Sequence, residues 1–288
     1  MKDYLPLKTK KIYKETKLWL SRTIDFKYET PTKELHMYLN DEELEFKYGT
    51  LIGACSQLAF WYENLFITNA FEEKESAFSH LLKSFKYDFL AFQIASATLK
   101  NRGLLFRQHG LIISKGFALG CFHDCEILGQ TALTNLNKQL YAGLEFHKVP
   151  FFILNLFSLW KFGLWKGVDY PELSDLPQCY RTILRTWRDE KPNNLEKALL
   201  EACDYHIEES HFDTRKKYYE FDVYTYRVFP AEILAVLQLR KSLNLEIPKI
   251  EHDLFTLPTV KLSEEPEFED ALFDEVKEKV SKELNFTI

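Results

Sequence analysis

Glycine is scarce in this chain, ten among 288 residues, and its scarcity removes several chemistries at once. Phosphate-cradling loops and dinucleotide-binding turns need closely spaced glycines where the backbone approaches a ligand; no Gly-x-Gly-x-x-Gly and no Gly-rich phosphate loop occurs. The Gly-x-Ser-x-Gly elbow of hydrolases and the His-Glu-x-x-His of zinc proteases are missing as well. Cysteine is equally sparse. Cys55, Cys121, Cys125, Cys179 and Cys203 are odd in number and sit in apolar surroundings, too few for a disulfide framework in a chain this long, so a reducing compartment is expected. Long hydrophobic runs are wanting. The most apolar stretch, Val149–Trp165, is interrupted by Pro150, Asn155, Ser158 and Lys161 and falls short of the ~20 residues that span a bilayer. The chain opens Met-Lys-Asp-Tyr without the apolar segment of a signal peptide, and the expected location is the cytoplasm, with no membrane partner. Excess positive charge is also absent: the formal net charge is −6 and the pI about 5.8, which disfavours nucleic acid as a partner and favours a basic protein.

What the chain has in quantity is rings. Twenty-four Phe and fifteen Tyr against two Met predict a rigid core filled by aromatic side chains. The spacing of the apolar residues is helical almost throughout. Residues 1–22 read as one Lys-rich amphipathic helix, ended by a break at Thr30-Pro31 and followed by a short helix near Thr32–Leu39. Asn40, with Glu43 three residues on, reads as the cap of a long helix whose apolar residues, Leu44, Tyr48, Leu51, Cys55, Leu58, Tyr62 and Phe66 among them, recur in steps of three and four. A second long helix from about Glu72 ends at Asn101-Arg102-Gly103, and two such helices joined by a tight turn are expected to lie antiparallel. A shorter apolar piece, Leu104–Ser114, precedes a helix over Phe117–Leu140 and the buried helix Val149–Trp165. Between Lys166 and Asn194, Gly167, Pro171, Pro177 and Pro192 punctuate a short Cys179–Arg188 helix and mark a seam between N-terminal and C-terminal layers. Leu195–Ser210 is the next helix. Phe221–Val228 reads as either extended or a lead-in to the clearest element of all: from Pro230, tolerated at the first helical position, Ile233, Leu234, Val236, Leu237 and Leu239 make a helix apolar nearly all round, closed by Asn244 and Pro248. The fold class is therefore all-α, a single domain over 1–288 built as a multi-helix bundle of long antiparallel helices with an acidic C-terminal helical layer.

Residue clusters suited to chemistry are weak. Cys121 and Cys125 share a helical face from which His123 points away, and no second ligand pair exists to complete a zinc site. His206, His211 and Asp213, with Glu208 and Glu209, read as a solvated helix end. The carboxylate pairs Glu72-Glu73 and Glu264-Glu265 lie in polar sequence where nothing raises a pKa to the range of a general acid. No metal, no cofactor and no catalytic residue is expected.

In the C-terminal third, Arg227-Val228-Phe229-Pro230-Ala231-Glu232-Ile233-Leu234, then Leu239-Arg240, a short linker to Pro248, Glu251-His252-Asp253-Leu254, Leu257-Pro258 and an acidic amphipathic terminal helix follow in order. This order resembles that of the immunity protein 49 family, all-helical immunity proteins of bacterial polymorphic toxin systems; helical immunity proteins paired with DNase toxins are a near alternative. The resemblance implies a cytoplasmic, non-catalytic protein that binds one cognate toxin and blocks it. Toxins that attack nucleic acid carry basic clefts, and an acidic surface speeds encounter with them. The contacting surface expected on that basis is Glu201, Asp204, Glu208 and Glu209, with Asp270 and Asp274 second. A helical enzyme or metal-binding protein is the alternative, and a concave pocket with converging polar groups is the feature that separates it from an inhibitor.

Overall fold

The computed structural model describes residues 10–12, 14–18, 28–99, 104–142, 147–167, 175–262 and 267–285. Of the expected N-terminal helix, residues 10–12 and 14–18 are helical, with Ile12 and Thr16 buried; the rest lies outside the described residues. Helix α1 (Glu29–Leu39) carries Pro31 in its opening turn, where the missing N–H leaves no partner wanting. Thr30-Pro31 therefore lies within a helix start and is not a break. Asn40 does not begin the next helix: its N–H bonds the His36 carbonyl (3.0 Å) and closes α1, Asp41 takes a left-handed φ of 56°, and Glu43 is exposed.

Two long helices, α2 (Lys47–Phe71) and α3 (Ala77–Thr98), form the N-terminal hairpin. Tyr62 stacks on Tyr87 and Phe66 meets Phe78 edge-on, so residue numbers rise on one helix as they fall on the other, and the pair is antiparallel as expected. The proposed stop at Asn101-Arg102-Gly103 falls outside the described residues. The helix expected over Phe117–Leu140 is instead split. α4 (Phe106–Ala118) and α5 (Phe122–Asn137) meet at Gly120, whose φ of +80° suits glycine and ends α4. α6 (Val149–Phe162) is buried along most of its length and stops at Gly163. Leu104–Leu105 pairs in parallel with Tyr141–Ala142, a two-residue ladder that no period-two signal announced and that leaves the class all-α. Then come α7 (Gln178–Thr186), α8 (Asn193–Glu208), the short α9 (Tyr224–Val228), α10 (Ala231–Ser242) and, after a turn at Asp253–Thr256, α11 (Ala271–Leu284).

α4 and α10 are the packed centre. Every residue from Ala231 to Arg240 is buried, and Asn244 takes the left-handed conformation (φ 55°) just past the helix end. On α4, a Cβ at Gly110 would stand 2.4 Å from Pro150 Cα, and one at Gly116 would stand 2.5 Å from the Phe85 ring and 2.6 Å from Cys125 Sγ. Two of the few glycines are thus spent on bringing α3, α5 and α6 against one helix.

The apolar residues fall into two cores. The larger joins α4 to α8 and α10 with one side of the hairpin, and it runs unbroken through Leu176, Tyr180, Ile183 and Trp187, across the stretch that read as a seam. The smaller unites α1, the other side of the hairpin and α11, which buries Phe273, Val276 and Val280 while Phe268 and Leu272 are half-buried. The acidic C-terminal helix thus lies on the N-terminal hairpin. Among the described residues no helix is long and apolar enough to cross a membrane.

Candidate functional site

The acidic stripe expected on α8 is real as a surface feature. Helical spacing buries Ala198, Leu199, Ala202, Cys203, His206 and Ile207, and the complementary positions Glu201, Asp204 and Glu208 are exposed along one side. Asp204 lies 3.6 Å from His252 Nε2. Glu209 departs from the stripe: its side chain is 15% exposed and accepts from Lys217 Nζ at 2.8 Å. Asp270 also has an internal task. It caps α11 by accepting the Phe273 N–H (3.1 Å), and it takes further bonds from Lys83 Nζ (3.1 Å) and Tyr87 Oη (3.3 Å). Asp274, one turn on, is exposed. The two acidic helices rest on different cores, α8 on the larger and α11 on the smaller.

The charged residues from Arg227 to Arg240 in that order of features are interior, whereas Glu251 and Asp253 are exposed. Arg227, Glu232 and Arg240 are at most 1% exposed. Glu232 bonds His206 Nδ1 at 2.8 Å and so fastens α10 to α8. Arg240, on its helix's last turn where the dipole favours a cation, turns inward and donates to the carbonyls of Trp187 (2.7 Å), Asp189 (2.9 Å) and Glu246 (2.8 Å). Arg227 donates from Nε to the Phe221 carbonyl (3.1 Å) and lays its guanidinium 3.6 Å from the Phe212 ring centre. These side chains hold segments together.

Elsewhere the structure assembles a group that sequence reasoning missed. α2 places Glu63 on its buried face with Ala59, Phe66 and Ala70; α3 places Ser84 and Asp88 one turn apart; α4 brings Lys115 between them. Lys115 Nζ donates to Glu63 Oε1 (2.7 Å), Asp88 Oδ2 (2.5 Å) and Ser84 Oγ (2.9 Å), three acceptors for an ammonium's three protons. Thr225 Oγ1 donates to the other Glu63 oxygen (2.9 Å). Lys115 is fully buried. Burial pulls its pKa down, but the attraction of Asp88 and Glu63 prevails and holds it well above its ordinary value, so it remains charged. One cation cannot balance two carboxylates out of water. Burial, against the pull of Lys115 and with the push of Glu63, raises Asp88 to about 6. The only signal in the sequence was a single charge on each of three apolar stripes.

This group adjoins a cavity of about 510 Å³. Glu63 and Asp88 contribute to its wall, with Phe60, Phe106, Leu111 and Tyr226 as the apolar part. Arg107, also in the wall, pairs with Asp222 and stands 3.5 Å from Asp213. His147 completes the lining; its Nδ1 is 3.7 Å from Glu220 Oε2, beyond hydrogen-bond reach, and has no hydrogen-bond partner. Glu220 is occupied at the start of α6, where it accepts the N–H groups of Lys148 and Val149.

All five cysteines are buried, and burial raises each thiol above its usual range, Cys121 to about 12. Among the described residues no cluster of His, Cys, Asp and Glu is arranged to hold a metal ion. Of the residues that read as parts of a solvated helix end, His206 is engaged inside the protein, and the partly exposed Asp213 accepts the Tyr219 N–H at 2.6 Å.

The geometry defines a class: an all-helical protein with an exposed acidic stripe on one helix and a carboxylate-lined cavity between others. No family model, no curated protein and no solved structure matches the chain.

Proposed function

We propose that this protein binds a cognate bacterial toxin and neutralises it by direct contact, the toxin presenting a basic surface of the kind that grips nucleic acid. The observation that carries the reading is the stripe Glu201–Asp204–Glu208, three carboxylates exposed on a helix whose opposite side is locked into the larger core. A rigidly mounted row of like charge attracts an opposite surface and sets its orientation, raising association rate and specificity more than raw affinity. The order of features from Arg227 to the terminal helix, which resembles that of helical immunity proteins, supports the same reading, although Arg227, Glu232 and Arg240 act inside the fold. Exposed Asp274 offers a second contact point on the other core.

The test is co-expression with the product of the adjacent reading frame, scored for growth and then for co-purification at about 0.1 and 0.5 M salt. Rescue by a complex that weakens at the higher salt is the expected result, with Glu201→Ala, Asp204→Ala and Glu208→Ala together weakening it further.

A second reading has its own observation. A carboxyl group raised to about 6 and lining a cavity suits proton transfer near neutral pH. On that reading Asp88→Asn abolishes function and the stripe variant does not; on the first, the stripe variant weakens the complex and Asp88→Asn leaves it unchanged.

A further inference from the structure

We propose that the cavity beside Asp88 is a binding site for an alkylammonium group. Its walls supply what such a group needs. Phe60, Phe106, Leu111 and Tyr226 offer apolar and aromatic surface for a carbon stem, while Asp88 and Glu63 mark one polar end. Asp88 gives Oδ2 to Lys115, and its side chain keeps 14% exposure.

The sign of the charge is decided by counting what surrounds the space. Among the described residues, Glu63, Asp88, Asp213, Asp222, Glu220 and Glu15 stand against Lys115, Arg107 and Arg227. The helix start at Val149 absorbs part of Glu220's charge, and the remainder still leaves carboxylates in excess. Among the described residues Arg107 is the one permanent cation in the wall; its Nε and Nη2 make no hydrogen bond, but its charge is offset by Asp222 and Asp213. A phosphate or carboxylate would be repelled, and a neutral molecule would leave the excess of carboxylates uncompensated. An ammonium would relieve it.

A second, independent feature is His147. It is 8% exposed, lines the cavity and leaves Nδ1 without a hydrogen-bond partner. A buried polar atom without a partner is rare in native proteins. An imidazole nitrogen accepts from N–H in one of its tautomers, and an ammonium carries N–H donors to fill it. This assignment rests on the cavity and stands or falls apart from toxin binding.

The experiment is calorimetric titration of the purified full chain with n-pentylamine, n-pentanol and pentanoate, which share a stem and differ in head-group charge. Pentylamine is expected to bind at least about tenfold more tightly than pentanol, the ratio a hydrogen bond to a charged group provides, and pentanoate not at all. Asp88→Asn should lose about tenfold in pentylamine affinity. Ser56→Phe, which fills the cavity from α2 and leaves the ionic group intact, should abolish binding even if the Asp88 variant fails to fold. A Gly-Gly-Lys-Gly-Gly peptide separates the sources: binding as tight as that of pentylamine assigns the site to a partner's lysine, and binding by pentylamine alone assigns it to a free amine. Equal affinity for pentanol and pentylamine, no binding by pentylamine at about 10 mM, or binding unchanged in Ser56→Phe would each overturn the proposal.

Discussion

Glu63 and Asp88 carry the same chemical group as Glu201, Asp204 and Glu208, in opposite settings. The first two lie between three helices and share one lysine that has no contact with solvent; the other three stand in water along α8. In water a carboxylate is already solvated, and a nearby cation adds little, on the order of 0–1 kcal/mol. Largely out of water, most of that solvation is lost, and the lysine, serine and threonine replace it. The interior group is therefore where a lost charge damages the fold, and the surface row is where a lost charge leaves the fold nearly untouched.

The largest consequence falls on Lys115. Lys115→Met leaves Glu63 and Asp88 buried together without a cation and is expected to destabilise by about 3–5 kcal/mol, measured by urea unfolding. Adding Glu63→Gln and Asp88→Asn to it should restore most of that loss, since no uncompensated charge then remains. A triple variant as unstable as the single one would show that packing, not charge, is what Lys115 supplies.

The next effect is read against pH. His109 is buried, with Nδ1 2.8 Å from Tyr141 Oη, and burial lowers its pKa from 6.5 to about 3. Its folded pKa lies below the unfolded one, so above pH 6.5 it contributes nothing to the slope. As pH falls from 6.5 towards 3, the unfolded chain takes up a proton that the folded one refuses. Stability should then drop by about 1.4 kcal/mol per pH unit more in the parent than in His109→Gln. Equal slopes in urea titrations at pH 6 and pH 5 would contradict the burial argument.

Smaller again is the contrast between two neighbours on α11. Asp270 caps the helix and Asp274 is exposed one turn later. Asp270→Ala should cost about 1 kcal/mol in thermal or urea unfolding, and Asp274→Ala less than about 0.5 kcal/mol. The smallest effect belongs to the surface row: Glu201→Ala, Asp204→Ala and Glu208→Ala should each move stability by no more than about 0.5 kcal/mol. A loss above 2 kcal/mol would mean that these carboxylates support the fold and would remove the stripe as a dedicated contact surface.

The acidic stripe was legible in the sequence because helical periodicity is local: once Ala198, Leu199, Ala202, Cys203 and Ile207 face inward, Glu201, Asp204 and Glu208 have only the outside. The ionic group was not. Glu63, Asp88 and Lys115 come from helices separated by 25 and 27 positions along the chain, and a lone charge on an apolar stripe does not name its partners. Asn40 misled for a related reason. A short polar residue can cap either end of a helix, and the choice depended on where α1 packed. Gly120 ended a helix that periodicity would have continued, because apolar spacing on either side of it stayed in step.

By itself the sequence determined the all-α class, the antiparallel hairpin, the buried α10 with its proline entrance and asparagine exit, and the exposed row of acids. These follow from spacing, capping chemistry and side-chain polarity, which act over a few residues. Only the tertiary structure decided that the C-terminal helix rests on the N-terminal hairpin, that Arg227, Glu232 and Arg240 face inward, and that two carboxylates and a lysine meet beside a cavity. Those outcomes depend on which apolar faces find each other, and a contact between distant helices leaves no local pattern in either of them.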